Sequence, residues 1–113
     1  ENADCYALSF EAGKPVETKS ANTFADGMAV RVPVPAALEM IRAGAERIIR
    51  VSDDEVKAAV RHYYTDTHNL IEGAGAAPLA ALLKDKAKKG GRYAVIASGG
   101  NIDRDAYIAA LSS

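Results

Sequence analysis

The chain has 113 residues, of which 49% are hydrophobic and 26% are charged, and its formal net charge at pH 7 is −1. This length suits one domain, and the near-neutral charge excludes the basic surface typical of proteins that bind nucleic acid or anionic membranes. No apolar run approaches the roughly 20 residues of a membrane span, and no signal peptide opens the chain. Cys5 is the lone cysteine, so an internal disulfide is excluded. We therefore expect a cytoplasmic, soluble protein.

The first half of the chain contains two short helix patterns. The chain begins at Glu1 without Met and runs directly into helix-like sequence, which suggests a piece of a longer polypeptide. Apolar residues at helical spacing predict a helix over 3–12, and Gly13 followed by Pro15 ends it. Pro35 suits the first turn of a second helix over 36–43, which Gly44 stops.

The second half begins with a strong helix-start signal. Ser52 and Glu55 form a capping box, in which each side chain satisfies a backbone N–H of the other residue. The helix behind it carries Val56, Ala59, Val60, Tyr63 and Leu70 on one face. Small residues then interrupt the pattern over 72–77, and a further helix is predicted from Pro78 to about Ala87. Asp103 caps the last helix, which is predicted to end near Leu111.

Apolar runs between these helices predict strands. Arg47–Val51 and Tyr93–Ala97 are short and rich in β-branched or aromatic residues, and the second run suggests a fully buried strand. Met28–Val32 is a further, weaker extended run. Strands that alternate with helices indicate an α/β fold with a parallel sheet, although two convincing strands are too few for a complete sheet.

Ser98-Gly99-Gly100-Asn101 is the first candidate binding segment. It follows the predicted strand Tyr93–Ala97, and open α/β sheets bind ligands at the carboxyl ends of their strands. Two glycines would let the backbone approach a flat or phosphorylated group, and Ser98 adds a neutral hydroxyl. The alternative is an ordinary strand-to-helix turn that Asn101 or Asp103 caps. The residues alone leave both interpretations open.

The second candidate segment is the run of small residues over 73–77, which opens the next helix. A helix N-terminus free of bulky side chains can accept an anion or a ring. Close packing against another helix or a sheet would require the same small residues. The run is not a dinucleotide fingerprint, because it follows a helix and Pro78 replaces the third glycine.

The remaining polar residues have simpler explanations. Asp26-Gly27 is most simply a turn, and the acidic residues 53–55 suit helix capping better than catalysis. His62 and His68 are six residues apart, which places them on different helix faces and does not suit a shared metal ion. Asp4 lies in a weak oxygen-ligand cluster with Glu1 and Asn2, for which a charged helix start is the alternative.

Four segments, in this order, resemble one enzyme family. They are Thr23-Phe-Ala-Asp-Gly-Met-Ala-Val30, Val51-Ser-Asp-Asp-Glu55, Leu70-Ile-Glu-Gly-Ala-Gly-Ala-Ala77 and Ile96-Ala-Ser-Gly-Gly-Asn101. Together they resemble threonine dehydratase (threonine ammonia-lyase), a fold-type II pyridoxal-phosphate enzyme, with serine racemase as a near relative. The resemblance extends from Glu1 to about Leu111. It implies the parallel-sheet part of a tryptophan synthase β-like fold, with residues 1–113 as the carboxyl-terminal segment of the catalytic region, mainly its larger domain.

The resemblance also implies roles for individual residues. The Ser98 hydroxyl would hydrogen-bond the pyridine nitrogen of pyridoxal phosphate, and Gly27 would line the face of the cofactor. Glu72 would face the ring near its phenolic oxygen or the substrate. Gly99, Gly100 and Asn101 would complete the floor around the pyridine nitrogen. Asp4 matches the region in which some relatives hold a divalent cation.

The implied reaction is β-elimination from L-threonine, which gives 2-oxobutanoate and ammonia. The resemblance implies a homo-oligomer, and the partners of this segment would be a small amino-acid substrate and the remainder of the catalytic polypeptide. The family's Schiff-base lysine and its phosphate loop are absent from this segment, which is therefore expected to be inactive alone and to supply no catalytic residue. A serine or aspartate racemase, or a hydroxyaspartate dehydratase, is the alternative within the fold. A non-catalytic binding module is the alternative if the chain is complete.

Overall fold

Helices form the regular secondary structure of the part of the chain that the structure describes. The structure is a computed structural model that describes residues 1–85 and 90–113. Its helices are α1 (Cys5–Ala12), a 3-10 helix (Asp26–Met28), α2 (Pro35–Gly44), α3 (Asp53–Thr67), α4 (Gly73–Lys84) and α5 (Arg104–Ser112). None of the helices in these two ranges is both long enough and apolar enough to cross a membrane.

Helix α1 ends where the sequence predicts and begins later. Gly13 has a φ of 71°, the left-handed conformation that glycine adopts most easily after a helix. At the other end Asp4 is the N-cap residue, but its side chain makes no cap hydrogen bond. Its carboxylate instead accepts a hydrogen bond from Nε of Arg50 at 3.0 Å. The helix starts at Cys5, two residues after the predicted start.

The predictions for α2 and for the start of α3 are confirmed. Pro35 occupies the first position of α2. Ser52 Oγ accepts a hydrogen bond from the Glu55 backbone N–H at 3.2 Å, and Glu55 Oε2 accepts one from the Ser52 N–H at 2.8 Å. Helix α3 ends at Thr67 because His68 takes a left-handed φ of 56°. The prediction that Leu70 shares the apolar face is wrong, since Leu70 lies beyond the helix and is 52% exposed.

Helix α4 begins five residues before the predicted start. The run from Gly73 to Ala77 forms its first turn and a half, so Pro78 lies inside the helix. A proline there removes one helical hydrogen bond, which is why the sequence favours Pro78 as the start. The earlier start is explained by close packing of the small residues, because Gly73 lies against Ala25 and Gly75 lies against Gly99. The predicted end near Ala87 and most of the lysine-rich stretch lie outside the described residues.

Helices α3, α4 and α5 pack around one apolar core. The buried residues of this core are Val56, Ala59, Val60, Ile71, Ala76, Ala77, Ala80 and Ala110. Most of them are alanines, so the helix axes can approach closely. Helix α5 runs from Arg104 to Ser112, within one residue of the predicted end, although Asp103 caps it without a side-chain hydrogen bond. Helices α1 and α2 pack against each other.

The predicted parallel sheet is not confirmed by the described residues. None of residues 1–85 and 90–113 is assigned to a strand, including 28–32, 47–51 and 93–97. The prediction that Tyr93–Ala97 is fully buried is wrong for this structure, because Ile96 is 78% exposed and Tyr93 is 52% exposed. A strand exists only through hydrogen bonds to a neighbouring strand. The described residues offer these segments no such neighbour.

The capping box of α3 provides a stability prediction. Replacing Ser52 by alanine leaves the Glu55 N–H without its acceptor, and we expect the free energy of unfolding to fall by about 1 kcal/mol. The measurement is chemical denaturation of the protein and its Ser52→Ala variant. Ser20→Ala, in an exposed loop, is the control and should leave the free energy of unfolding unchanged.

Glu55 makes the stability of the protein depend on pH. The Ser52 backbone N–H and then the Lys84 ammonium lower the pKa of the Glu55 carboxyl below its ordinary value of 4.5. A carboxyl with a lowered pKa stabilises the fold above that ordinary value, and the stabilisation is lost as the pH falls through the lowered pKa. We therefore expect Glu55→Gln to be less stable than the wild type at neutral pH. The difference should shrink in denaturation measurements below pH 4.5, and a constant difference would contradict this explanation.

Candidate functional site

The turn that carries Gly27 is held by the start of α3. Asp53, the first residue of α3, accepts a hydrogen bond from the Thr23 hydroxyl at 2.5 Å and one from the Phe24 N–H at 3.2 Å. The Thr23 hydroxyl oxygen in turn accepts a hydrogen bond from the Ala25 N–H at 3.2 Å. These bonds order the chain that leads into the 3-10 helix (Asp26–Met28), and Gly27 itself is exposed.

The same turn packs closely against the first residues of α4. A Cβ at Gly73 would lie 2.9 Å from the Cα and Cβ of buried Ala25, which is closer than real Cβ atoms come. A Cβ at Gly27 would lie 3.0 Å from the Cβ of Ala74. Backbone therefore lies almost directly on backbone here, and only glycine fits at Gly73.

On its other side the N-terminus of α4 contacts the segment with the two glycines. The Glu72 N–H donates a hydrogen bond to the Gly99 carbonyl oxygen at 3.0 Å. A Cβ at Gly75 would lie 2.9 Å from that same oxygen, and a Cβ at Gly99 would lie 2.5 Å from Oε1 of Glu72. A Cβ at Gly100 would lie 2.5 Å from the Leu70 carbonyl oxygen. The glycines at 75 and 100 are therefore required for this close approach, because a Cβ there would meet backbone oxygen atoms, whereas a Cβ at Gly99 would displace the Glu72 side chain.

The structure thus brings four of the six predicted cofactor residues together. Gly27, Glu72, Gly99 and Gly100 surround the N-terminus of α4 from two sides. Ser98 and Asn101 lie on either side of the two glycines in the chain and are exposed. Their assignment to the cofactor stays a prediction. Glu72 is the N-cap residue of α4 and makes no side-chain cap hydrogen bond, so its carboxylate does not serve the helix as an N-cap acceptor.

Asp4 lies apart from this cluster and forms an ion pair with Arg50. Besides its bond to Asp4, Arg50 donates to both carboxylate oxygens of Glu11, at 2.6 Å and 3.2 Å. The hydrogen bond from Arg50 lowers the pKa of the Glu11 carboxyl, and the two carboxylates together raise the pKa of the guanidinium. In the part of the chain that the structure describes, no three His, Cys, Asp or Glu side chains are placed to hold a metal ion. The cation site at Asp4 stays a prediction.

An open cavity of about 310 Å³ connects the two regions. Asp4 and Gly27 both border it, and so do Thr23 and Asp53. The rest of its lining is mainly apolar and comes from α1 and the residues before it, from residues 25–30, from residues 48–51 and from Val56.

Thr23 and Asp53 are the structural partners that sequence reasoning missed. The sequence suggested that Asp53 belongs to a helix cap, because it directly follows Ser52. The only available signal was that Thr23 and Asp53 each belong to one of the four segments that resemble the enzyme family. A hydrogen bond across 30 residues has no local pattern that would predict it.

Comparison with known proteins identifies the family. Residues 1–99 match the family model described as pyridoxal-phosphate dependent enzyme. An L-threonine ammonia-lyase of Geobacter sulfurreducens is 38% identical over 96 residues, which are 84% of this chain and 24% of the relative. The processed form of threonine deaminase isoform 2 from Solanum lycopersicum superposes with a TM-score of 0.89 at 26% identity, covering 98% of this chain and 33% of that one. Maize serine racemase superposes with a TM-score of 0.85 at 29% identity, covering 99% and 36%.

The chain therefore belongs to the family of pyridoxal-phosphate-dependent enzymes, whose cofactor is pyridoxal phosphate. Its solved structural neighbours are fold-type II enzymes, threonine deaminases and serine racemases, which confirms the predicted resemblance. The chain spans only 24–30% of the length of the first curated relatives that it matches.

The close approach at Gly75 can be tested by substitution. We expect Gly75→Ala to lower the free energy of unfolding by about 2 kcal/mol, because the added methyl group would overlap the Gly99 carbonyl oxygen and the Ile71 side chain. Gly44→Ala is the matched control, since no atom lies within 4 Å of a Cβ at Gly44. The control should be neutral or slightly stabilising, as alanine favours helix. Equal effects of the two changes in thermal denaturation would contradict the close-packing interpretation.

Proposed function

We propose that this chain is the part of a pyridoxal-phosphate-dependent threonine or serine ammonia-lyase that supplies the pyridine-nitrogen side of the cofactor site. The observation that carries the proposal is the convergence of Gly27, Glu72, Gly99 and Gly100 at the N-terminus of α4. In such an enzyme L-threonine would lose water across its α- and β-carbons. Hydrolysis of the dehydrated amino acid by one water molecule would then yield 2-oxobutanoate and ammonia.

The residues present fit the proposed cofactor. The first turn of α4 carries no bulky side chain, and no side chain caps its backbone N–H groups. Gly27 and Gly100 are exposed and carry no Cβ, so a flat ring can come close to the backbone on both sides of α4. Ser98 is exposed next to this surface and offers one hydroxyl. A ring held here would contact backbone atoms, the Ser98 hydroxyl and, at its edge, the Glu72 carboxylate.

The identity of the polar group at position 98 determines the chemistry that we propose. Bound pyridoxal phosphate supplies an electron-withdrawing ring that stabilises negative charge on the α-carbon of an amino acid. An alcohol has a pKa far above neutrality, so the Ser98 hydroxyl would donate a hydrogen bond to the ring nitrogen without transferring its proton. The ring would stay neutral and withdraw electrons less strongly than a protonated ring. Such weaker withdrawal favours prompt loss of a β-hydroxyl over protonation at a distant carbon.

Gly27 and Glu72 would shape the pocket around the ring. We propose that Gly27 faces one side of the cofactor, and its close contact with Ala74 supports a fixed wall there. Glu72 would face the phenolic oxygen or the substrate. Its backbone N–H is fixed by Gly99, while its carboxylate lies beside the Cα of Gly99. Asn101 would complete the floor beside the two glycines. The covalent chemistry would depend on residues that this chain does not contain.

Amino-acid racemisation is the second candidate function. The superposition with maize serine racemase, at a TM-score of 0.85, favours it nearly as strongly as the superpositions with threonine deaminases favour the lyase. Both reactions begin with removal of the α-proton, and they differ in whether a β-leaving group departs or a proton returns to the opposite face.

The test uses the full-length protein that carries this chain. With pyridoxal phosphate bound, we expect 2-oxobutanoate from L-threonine and an absorption band of the bound cofactor. D-serine from L-serine without oxo acid would identify the racemase. No cofactor band would contradict the proposal and favour a non-catalytic module.

Ser98→Ala tests the proposed partner of the ring nitrogen. Loss of one hydrogen bond to the ring should lower kcat/KM for L-threonine by about tenfold and shift the cofactor's absorption band. Ser112→Ala, at an exposed serine at the end of α5, is the matched control and should change neither. Unchanged turnover and an unchanged absorption band in Ser98→Ala would show that Ser98 is not the partner of the ring nitrogen.

A further inference from the structure

Asp53 makes its hydrogen bonds away from the helix in which it lies. It is the first residue of α3, a position at which an acidic side chain ordinarily stabilises the helix through its N-terminal dipole. Yet one of its carboxylate oxygens accepts from the Thr23 hydroxyl and the other from the Phe24 N–H, 30 and 29 residues earlier in the chain. Asp53, Thr23 and Phe24 are all half-buried, which shields these charge-assisted bonds from water.

The N-terminal cap of α3 does not require this carboxylate. Ser52 and Glu55 satisfy each other's backbone N–H groups, and the neighbouring Asp54 side chain is 93% exposed with an ion pair to Lys57 at 3.6 Å. Asp53 and Asp54 therefore share a helix turn and a charge but differ in what they contact. This pair separates the effect of a negative charge at the helix start from the effect of the bonds to Thr23 and Phe24.

The bonds to Asp53 act on a turn that is packed tightly on its far side. Ala25 is 3% exposed and lies against Gly73, and Gly27 lies against Ala74. Asp53 holds the residues directly before these two contacts. The carboxylate and the N-terminus of α4 together therefore fix the position of Gly27 from both sides.

We propose that Asp53 is a positioning residue, which acts through Thr23 and Phe24 to fix the wall that Gly27 presents to the cofactor. This inference rests on the proposed function. Without the carboxylate, the Thr23 hydroxyl and the Phe24 N–H lose their acceptor, the turn samples other positions, and Gly27 no longer offers a fixed surface to the ring.

The test compares Asp53→Ala with Asp54→Ala in the full-length protein. In Asp53→Ala we expect the Phe24 amide to exchange its hydrogen about tenfold faster and the dissociation constant for pyridoxal phosphate to rise by about tenfold, in line with the loss of a charge-assisted bond. The absorption band of the bound cofactor should shift as well. Asp54→Ala should change amide exchange, affinity and band much less than Asp53→Ala does. Its exposed carboxylate pairs with Lys57 at 3.6 Å and reaches Phe24 indirectly, through the Lys57 ammonium 5.7 Å from the centre of the Phe24 ring.

A second pair of variants separates positioning from general destabilisation. Thr23→Val removes the hydroxyl, and the double variant Asp53→Ala with Thr23→Val should raise the dissociation constant much less than the product of the two single effects. Multiplicative effects would overturn the link between the two residues. Faster exchange at Phe24 with an unchanged dissociation constant and an unchanged absorption band would show that Asp53 does not position Gly27 for the cofactor. If the wild type binds no cofactor, the proposed function fails together with that role, and the exchange measurement then judges only the hydrogen bond between Asp53 and Phe24.

Discussion

The close approach of backbone to backbone around the first turn of α4 is the constraint on which the site depends. Gly73 fits against Ala25 only because it has no Cβ, and Gly75 fits against the Gly99 carbonyl for the same reason. The Glu72 N–H fixes the distance with a hydrogen bond to that carbonyl. Because glycine adds no side-chain contacts, the stability of this arrangement must come from the apolar core behind it, where Ala76, Ala77 and Ala80 are buried.

Charged side chains connect segments that lack regular structure to the helices. Asp53 holds the turn before Gly27, and Arg50 connects residues 47–51 to both ends of α1 through Asp4 and Glu11. Arg50 is suited to this because its planar guanidinium can donate to two carboxylates at once. Asp53, Arg50 and Asp4 all border the same cavity. Residues 23–28 and 47–51 are not assigned to strands, so these hydrogen bonds and ion pairs fix positions that strand pairing would otherwise fix.

The sequence predicted the helices well where the signals were local. The capping box at Ser52 and Glu55, the proline at the start of α2 and the glycine after α1 each depend on neighbouring residues, and all three are confirmed. The predictions failed where contacts with residues far away in the chain determine the start of a helix. Helix α4 starts at Gly73 and not at Pro78. Its first residues are small enough to pack against Ala25 and Gly99, which are both far away in the chain.

The same distinction applies to the strands and to the candidate site. A run such as Tyr93–Ala97 has strand composition, but a strand also needs a neighbouring strand, and none of the described residues is assigned to one. The ordered set of four segments is the only feature of the sequence that suggests a proximity of Glu72 to Gly99 or of Thr23 to Asp53, and it does not specify either hydrogen bond. The glycines in the sequence show which segments can bring their backbone close to a ligand. Where each segment lies depends on contacts between distant residues.

The two interpretations that the sequence left open for residues 73–77 are compatible in the structure. Gly73, Gly75, Ala76 and Ala77 are buried, so close packing accounts for most of the run. Ala74 is only half-buried, and it contacts exposed Gly27. A ring would therefore meet Gly27, the side of α4 at Ala74 and the carboxylate of Glu72, but not the glycines of α4 themselves. In the proposed site Gly73 and Gly75 would contribute to cofactor binding indirectly, because they allow Gly27 and Gly99 to lie close to α4.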